Sequence, residues 1–127
     1  EVHACSDITG FSLAGHASEI AVKSNVGIEF AAPLLPSIPG ALDYALAAQA
    51  SGGLQRNRAH FEGERVQVAD SISEELKLLC FDPQTSGGLL LAVANESADL
   101  VSERFDERSI PSWRVGRVTT GRNVTIA

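Results

Sequence analysis

Methionine is absent from all 127 residues, the initiator included, and the numbering opens on Glu1. Such a chain is expected to be a piece excised from something longer. No apolar run approaches the roughly 20 residues that cross a bilayer, so no membrane-spanning segment is expected. The pattern of a secretory signal peptide, a basic start, an apolar stretch and a small-residue cleavage site, is missing as well. Cys5 and Cys80 are the only cysteines. They have neither C-x-x-C spacing nor the density of a disulfide scaffold, which points to the cytoplasm and to two thiols that pack as small apolar groups. Positive charge is scarce: ten Lys and Arg against 16 Asp and Glu leave a net charge of −6, the opposite of a nucleic-acid binder's basic excess. Arg56 and Arg58, and again Arg114, Arg117 and Arg122, are local basic spots that read as solvated surface. Several chemical signatures are lacking too, namely any D-x-D pair, H-E-x-x-H, thiolate cluster or Walker lysine. No internal repeat or low-complexity tract appears.

What is present suffices for one domain spanning residues 1–127, since a chain of this size hides roughly two-thirds of its unfolded surface. Val2 to Cys5 reads as the tail of a strand or as a linker. A helix is predicted from about Gly10 to Ser24, with Thr9 or Asp7 as cap and Asn25 or Gly27 closing it. On a helical wheel Ser12, His16, Glu19 and Lys23 share a polar arc of about 60°, opposite Leu13, Ala14, Ala17, Ile20 and Ala21. Val26, Ile28 and Phe30 alternate as a strand. After Pro33 and Pro36, a second helix is expected with Ser37 as cap, Pro39 in the first turn and Leu42, Ala45, Leu46 and Gln49 along one side. Ser51-Gly52-Gly53 should stop it.

The pattern is loose from Leu54 to Asp70, with a short strand at Arg65 to Ala69. Ser71-Ile72-Ser73-Glu74 matches a capping box opening a helix that ends at Phe81. Leu89 to Ala94 reads as a fully buried central strand. Asn95 or Ser97 should cap a helix with Ala98, Val101 and Phe105 inward. Trp113, Val115 and Val118, a turn at Gly121-Arg122-Asn123, and Val124 to Ile126 read as a terminal hairpin. Helices and strands interleave without a strict βαβ repeat, which gives an α+β domain: a mixed β-sheet packed with helices.

Two stretches carry chemistry. The first, Cys5 to His16, sets Asp7, Thr9 and Gly10 just before a helix start, where backbone N–H groups and the helix dipole favour an anion or a bridging metal ion. Asp7 reads either as a cap accepting backbone N–H groups or as one ligand of Mg²⁺, an ion that takes one or two carboxylates with phosphate oxygens and waters. Nothing else in the chain completes such a site. His16 stands one turn from Ser12, within reach of a bond to it, and otherwise reads as a solvated or structural residue. The second stretch, Asp82 to Leu91, runs a polar loop with Thr85, Ser86, Gly87 and Gly88 into an apolar strand. Its hydroxyls and N–H groups suit an anion, and its paired glycines admit a close neighbour; a tight turn into a buried strand is the plainer reading. Gly52 to Asn57 reads as a helix stop followed by a polar loop.

The order Ser6-Asp7-Ile8-Thr9-Gly10-Phe11-Ser12-Leu13-Ala14-Gly15-His16, then Gly52-Gly53 with Arg56-Asn57, then Asp82-Pro83-Gln84-Thr85-Ser86-Gly87-Gly88-Leu89-Leu90, resembles the C-terminal domain of the selenophosphate synthetases. These are the selenide, water dikinases of the aminoimidazole ribonucleotide synthetase superfamily. The likeness spans essentially the whole chain. It implies a cytoplasmic homodimer that converts ATP, selenide and water to selenophosphate, AMP and phosphate with Mg²⁺. The nucleotide is then expected between an absent N-terminal domain and this one. Asp7 matches the metal-binding aspartate of the family's T-D-x-T-G motif. Thr9, Gly10, Asn57, Thr85, Ser86, Gly87 and Gly88 are the nucleotide- or phosphate-facing candidates. The reactive cysteine or selenocysteine and its lysine belong to the N-terminal segment, so no catalytic nucleophile is expected here and the piece alone should be inactive. Ser12 stands where the family has glycine, which allows a closer approach, and Leu54 stands where it has threonine. The alternatives are another superfamily member with a different phosphoryl acceptor, or a non-catalytic binding module in which Asp7 and the Gly-Gly loops are only caps and turns.

Overall fold

The computed structural model describes residues 2–47 and 51–127. Among the described residues six strands and five helices follow one another as β1 Val2–Asp7, α1 Ser12–Ser24, β2 Gly27–Phe30, α2 Ala41–Leu46, α3 Gly52–Phe61, β3 Val66–Val68, α4 Glu74–Phe81, β4 Leu89–Val93, α5 Ala98–Asp106, β5 Gly116–Thr119 and β6 Val124–Ile126. Short 3-10 turns at Ala32–Leu34 and Asn95–Ser97 complete the list. The α+β reading holds, with a mixed four-stranded sheet of order β3-β6-β2-β5 and a separate antiparallel ribbon of β1 and β4.

Helix α1 is the centre of the core. Its small residues Ala14, Ala17 and Ala21 are fully buried, which lets the helix lie close to its neighbours. It packs on β2 and β6 of the sheet and on α3 and α4. Ile28 and Phe30 of β2, Val124 and Ile126 of β6, and Leu54, Phe61, Cys80 and Phe81 of the two helices close the cluster around it. Asn25, in the left-handed conformation at φ 56°, ends the helix. The Val26 N–H then reaches back to the Ala21 carbonyl at 3.0 Å, a Schellman-type close.

Five local expectations are corrected. Gly52-Gly53 does not stop a helix but starts α3, because the Ser51 hydroxyl accepts the Leu54 N–H at 3.1 Å as its cap. α2 begins at Ala41 behind Gly40, so Ser37 and Pro39 lie outside it; Gln49 is not among the described residues. α4 opens at Glu74 behind Ser73, whose side chain makes no cap bond, so the Ser71–Glu74 capping box does not form. β4 is not the central strand: among the described residues it pairs only with β1, and Leu89 is 67% exposed. β5 and β6 do not form a hairpin, because β2 lies between them, antiparallel to β5 and parallel to β6. Within the basic spots, Arg58 pairs with Glu62 and Glu74, Arg114 with Asp99 and Arg117 with Glu29 at the surface.

Candidate functional site

Three segments distant in sequence meet at the end of β1. In the ribbon register Asp7 stands opposite Leu89, and the next residue, Ile8, donates its N–H to the Gly88 carbonyl at 2.9 Å. The chain then turns sharply. Ser12 N–H donates to the Thr9 carbonyl at 3.0 Å, and the same carbonyl accepts the Gln84 N–H at 3.0 Å. Thr9 thus joins the start of α1 to the 82–88 loop. Gly10 follows at the apex, and the Asn57 carboxamide of α3 donates to its carbonyl at 2.9 Å and to the Phe81 carbonyl at 3.1 Å. Asn57 is buried, and its amide nitrogen is directed at the backbone.

Close packing explains the glycines. A Cβ on Gly87 would lie 2.4 Å from the Ile8 carbonyl oxygen, and one on Gly53 would lie 2.7 Å from Pro83 Cγ. Both glycines therefore let the 82–88 loop seat itself, one against β1 and one against α3. Asp82 opens that loop half-buried; desolvation pushes its carboxyl upward, while hydrogen bonds from Ser51 and Gln84 pull the other way. Thr85 and Ser86 sit exposed at the bend.

The cap expectations for α1 are corrected here. The helix begins at Ser12, behind Phe11, with no side-chain cap, so neither Thr9 nor Asp7 serves as one. Ser12 itself has φ 71°, a left-handed conformation suited to the glycine of the family motif, and its side chain is fully buried. The polar arc is also split. Glu19 and Lys23 pair at the surface, whereas Ser12 and His16 are buried. His16 bonds Thr9 rather than Ser12: its Nε2 lies 3.0 Å from Thr9 Oγ1. The Phe11 ring leans over the imidazole at 5.9 Å between centroids. No sequence spacing marks His16 as Thr9's partner, since the pair forms only because the turn at Gly10 folds Thr9 back over the second turn of α1.

Asp7 and Thr9 are exposed beside this packed junction. Among the described residues no group of three or more His, Cys, Asp and Glu comes together to hold a metal ion. One carboxylate oxygen donor next to an anion-favouring helix start fits a share in a Mg²⁺ site whose other ligands are phosphate oxygens, waters and carboxylates from elsewhere. It does not make a complete site. Of the two thiols, Cys80 is buried and its thiol is pushed up to about 12 by that burial, whereas Cys5 is exposed rather than packed.

An α+β chain built on this junction is a recognisable class: the family described as AIR synthase related protein, C-terminal domain, matches residues 1–127, and the chain belongs to it. Within that class it is similar to selenide, water dikinases. It is 42% identical over 119 residues to the one from Caldanaerobacter subterraneus, covering 92% of this chain and 34% of the relative. For Pelobacter propionicus the identity is 46% over 102 residues, covering 80% and 29%. For Agathobacter rectalis it is 38% over 126 residues, covering 99% and 36%. The chain thus spans about a third of the length of these curated relatives. The resemblance read from the three motifs is to these same proteins. A solved thiamine-monophosphate kinase from Stenotrophomonas maltophilia shares the fold, with a TM-score of 0.57 at 21% identity over 98% of this chain and 31% of its own. A crystal structure from Thermus thermophilus does likewise, at 0.59 and 20%, over 98% and 32%.

Proposed function

We propose that this chain is the C-terminal portion of an ATP-dependent selenide, water dikinase, which converts ATP, selenide and water to selenophosphate, AMP and phosphate. The observation that carries the reading is the convergence of the Asp7–Ser12, Ser51–Asn57 and Asp82–Gly88 segments on the Thr9 and Gly10 carbonyls, with Asp7 left exposed at its edge. The similarity to the curated dikinases supports the substrate class.

In this reading Asp7 is one ligand of Mg²⁺, and Thr9, Gly10 and the Thr85–Gly88 bend face the nucleotide phosphates. Asn57 works from behind by fixing the Gly10 carbonyl. When bound, the ion neutralises charge on the phosphoryl oxygens. The chain's own part is to hold a carboxylate and oriented donors in a fixed frame, the kind of preorganisation on which phosphoryl transfer depends. An N-terminal domain supplies the remaining carboxylates and the reactive residue, the assembled enzyme is a cytoplasmic homodimer, and the piece alone is inactive. The half-exposed ribbon of β1 and β4 supports a further body against it, since two strands alone are marginal in water.

The test is release of AMP and phosphate from ATP by the full-length protein with and without selenide. Turnover that requires selenide is the expected result. Turnover indifferent to selenide would assign the fold to a different phosphoryl acceptor, and no turnover would favour a binding module.

A further inference from the structure

We propose that His16 is a positioning residue that sets the direction of the Thr9 hydroxyl; this rests on the nucleotide-facing reading above. Three observations meet at the pair. Thr9 Oγ1 lies 3.0 Å from His16 Nε2. Thr9 is exposed at the edge of the junction, whereas His16 is buried to 9% exposure behind it, against the tilted ring of Phe11. The Thr9 carbonyl is already fixed by the Ser12 and Gln84 N–H groups, so the rotation of its side chain is the freedom that remains.

A hydroxyl has one proton, and the histidine decides where it points. If Nε2 were the acceptor, the Thr9 proton would be turned inward and only lone pairs would face outward, which repels a phosphate oxygen. With the proton on Nε2, the imidazole donates to Thr9 Oγ1. The Thr9 O–H is then turned outward, able to donate to an anionic oxygen beside Asp7. The second arrangement is the one that serves a phosphate. In this arrangement His16 carries a proton on Nε2 and acts on the ligand only through Thr9.

The pair makes a double-mutant cycle in the full-length protein, read as the Kd of a non-hydrolysable ATP analogue with Mg²⁺ and as KM against kcat for ATP. Thr9→Val is expected to weaken analogue binding about tenfold, the size of one lost hydrogen bond to a charged group, and His16→Phe only about threefold, because the hydroxyl it leaves behind is free to turn outward. The double variant should be no weaker than Thr9→Val alone. Thr9→Ser, which keeps the hydroxyl, should stay within about threefold of the unaltered protein. Thermal unfolding of each variant separates this from a structural loss. If His16→Phe fails to fold, Thr9→Val decides: unchanged affinity would overturn the proposal. Effects that multiply in the double variant would overturn it as well. Failure of the unaltered protein to bind the analogue would overturn the proposed function and this inference together, whereas binding without the coupling would overturn this inference alone.

Discussion

Asn57 and Gly10 are 47 residues apart in the chain, yet the Asn57 carboxamide nitrogen donates to the Gly10 carbonyl oxygen at 2.9 Å. The same nitrogen reaches the Phe81 carbonyl at 3.1 Å, so one buried side chain holds the turn after β1 to the end of α4. Replacing it with the similarly sized leucine, Asn57→Leu, leaves two carbonyls without that donor. The expected cost is about 2–3 kcal/mol of stability, measured by urea unfolding. A loss below about 0.5 kcal/mol would show that Asn57 is not the tie between these segments.

Ser12 holds φ 71° with its side chain fully buried. A left-handed conformation costs a non-glycine residue about 1 kcal/mol, and the one bond its hydroxyl accepts, from the Gly15 N–H, is long at 3.4 Å. Ser12→Gly is therefore expected to raise the unfolding midpoint, and Ser12→Ala is not. A fall in Tm on Ser12→Gly would show that the hydroxyl outweighs the backbone strain.

The neighbouring glycines of the second motif differ in what they do. A Cβ at Gly87 meets the Ile8 carbonyl oxygen at 2.4 Å, whereas at Gly88, with φ +73°, nothing lies within 4 Å. Gly87→Ala should unseat the loop from β1 and cost more than about 2 kcal/mol. Gly88→Ala should cost only about 1 kcal/mol, through its backbone conformation. Equal losses in denaturant unfolding would contradict the close contact at Ile8.

The thiols should separate by reactivity. Cys5 is exposed, while Cys80 is buried with its thiol pushed up to about 12, so at pH 8 it stays protonated and enclosed. A disulfide reagent should modify one cysteine in the native chain and both in denaturant, with Cys5 identified by mass spectrometry. Rapid native labelling of Cys80 would show that the packing between α1 and α4 opens readily.

The elements with strong local signals were legible. The body of α1, the alternation of Val26, Ile28 and Phe30, and the short strand near Val66 and Val68 lie where periodicity put them. Sheet order was not, because nothing in the spacing of Val118 and Val124 tells that β2 is inserted between β5 and β6. Gly52-Gly53 misled for a related reason: glycines usually end a helix, but the Ser51 cap and the contact with Pro83 put these two at a beginning. The apolar run at Leu89 has the pattern of a strand buried on both faces, yet among the described residues only β1 lies beside it. At the candidate site, the motifs marked the right segments. Their geometry, with Asn57 bonded to backbone and His16 to Thr9, depends on contacts across 47 and 7 residues that no local pattern encodes.

The Mg²⁺-ligand role of Asp7 is tested by Asp7→Asn in the full-length protein, assayed for ATP turnover across a Mg²⁺ titration beside the unaltered protein. Because Asp7 is exposed, the substitution should leave the unfolding midpoint unchanged. Mg²⁺-dependent turnover is expected to be abolished at every Mg²⁺ concentration tried. An Asp7→Asn protein that folds and turns over ATP at the unaltered rate would contradict that role.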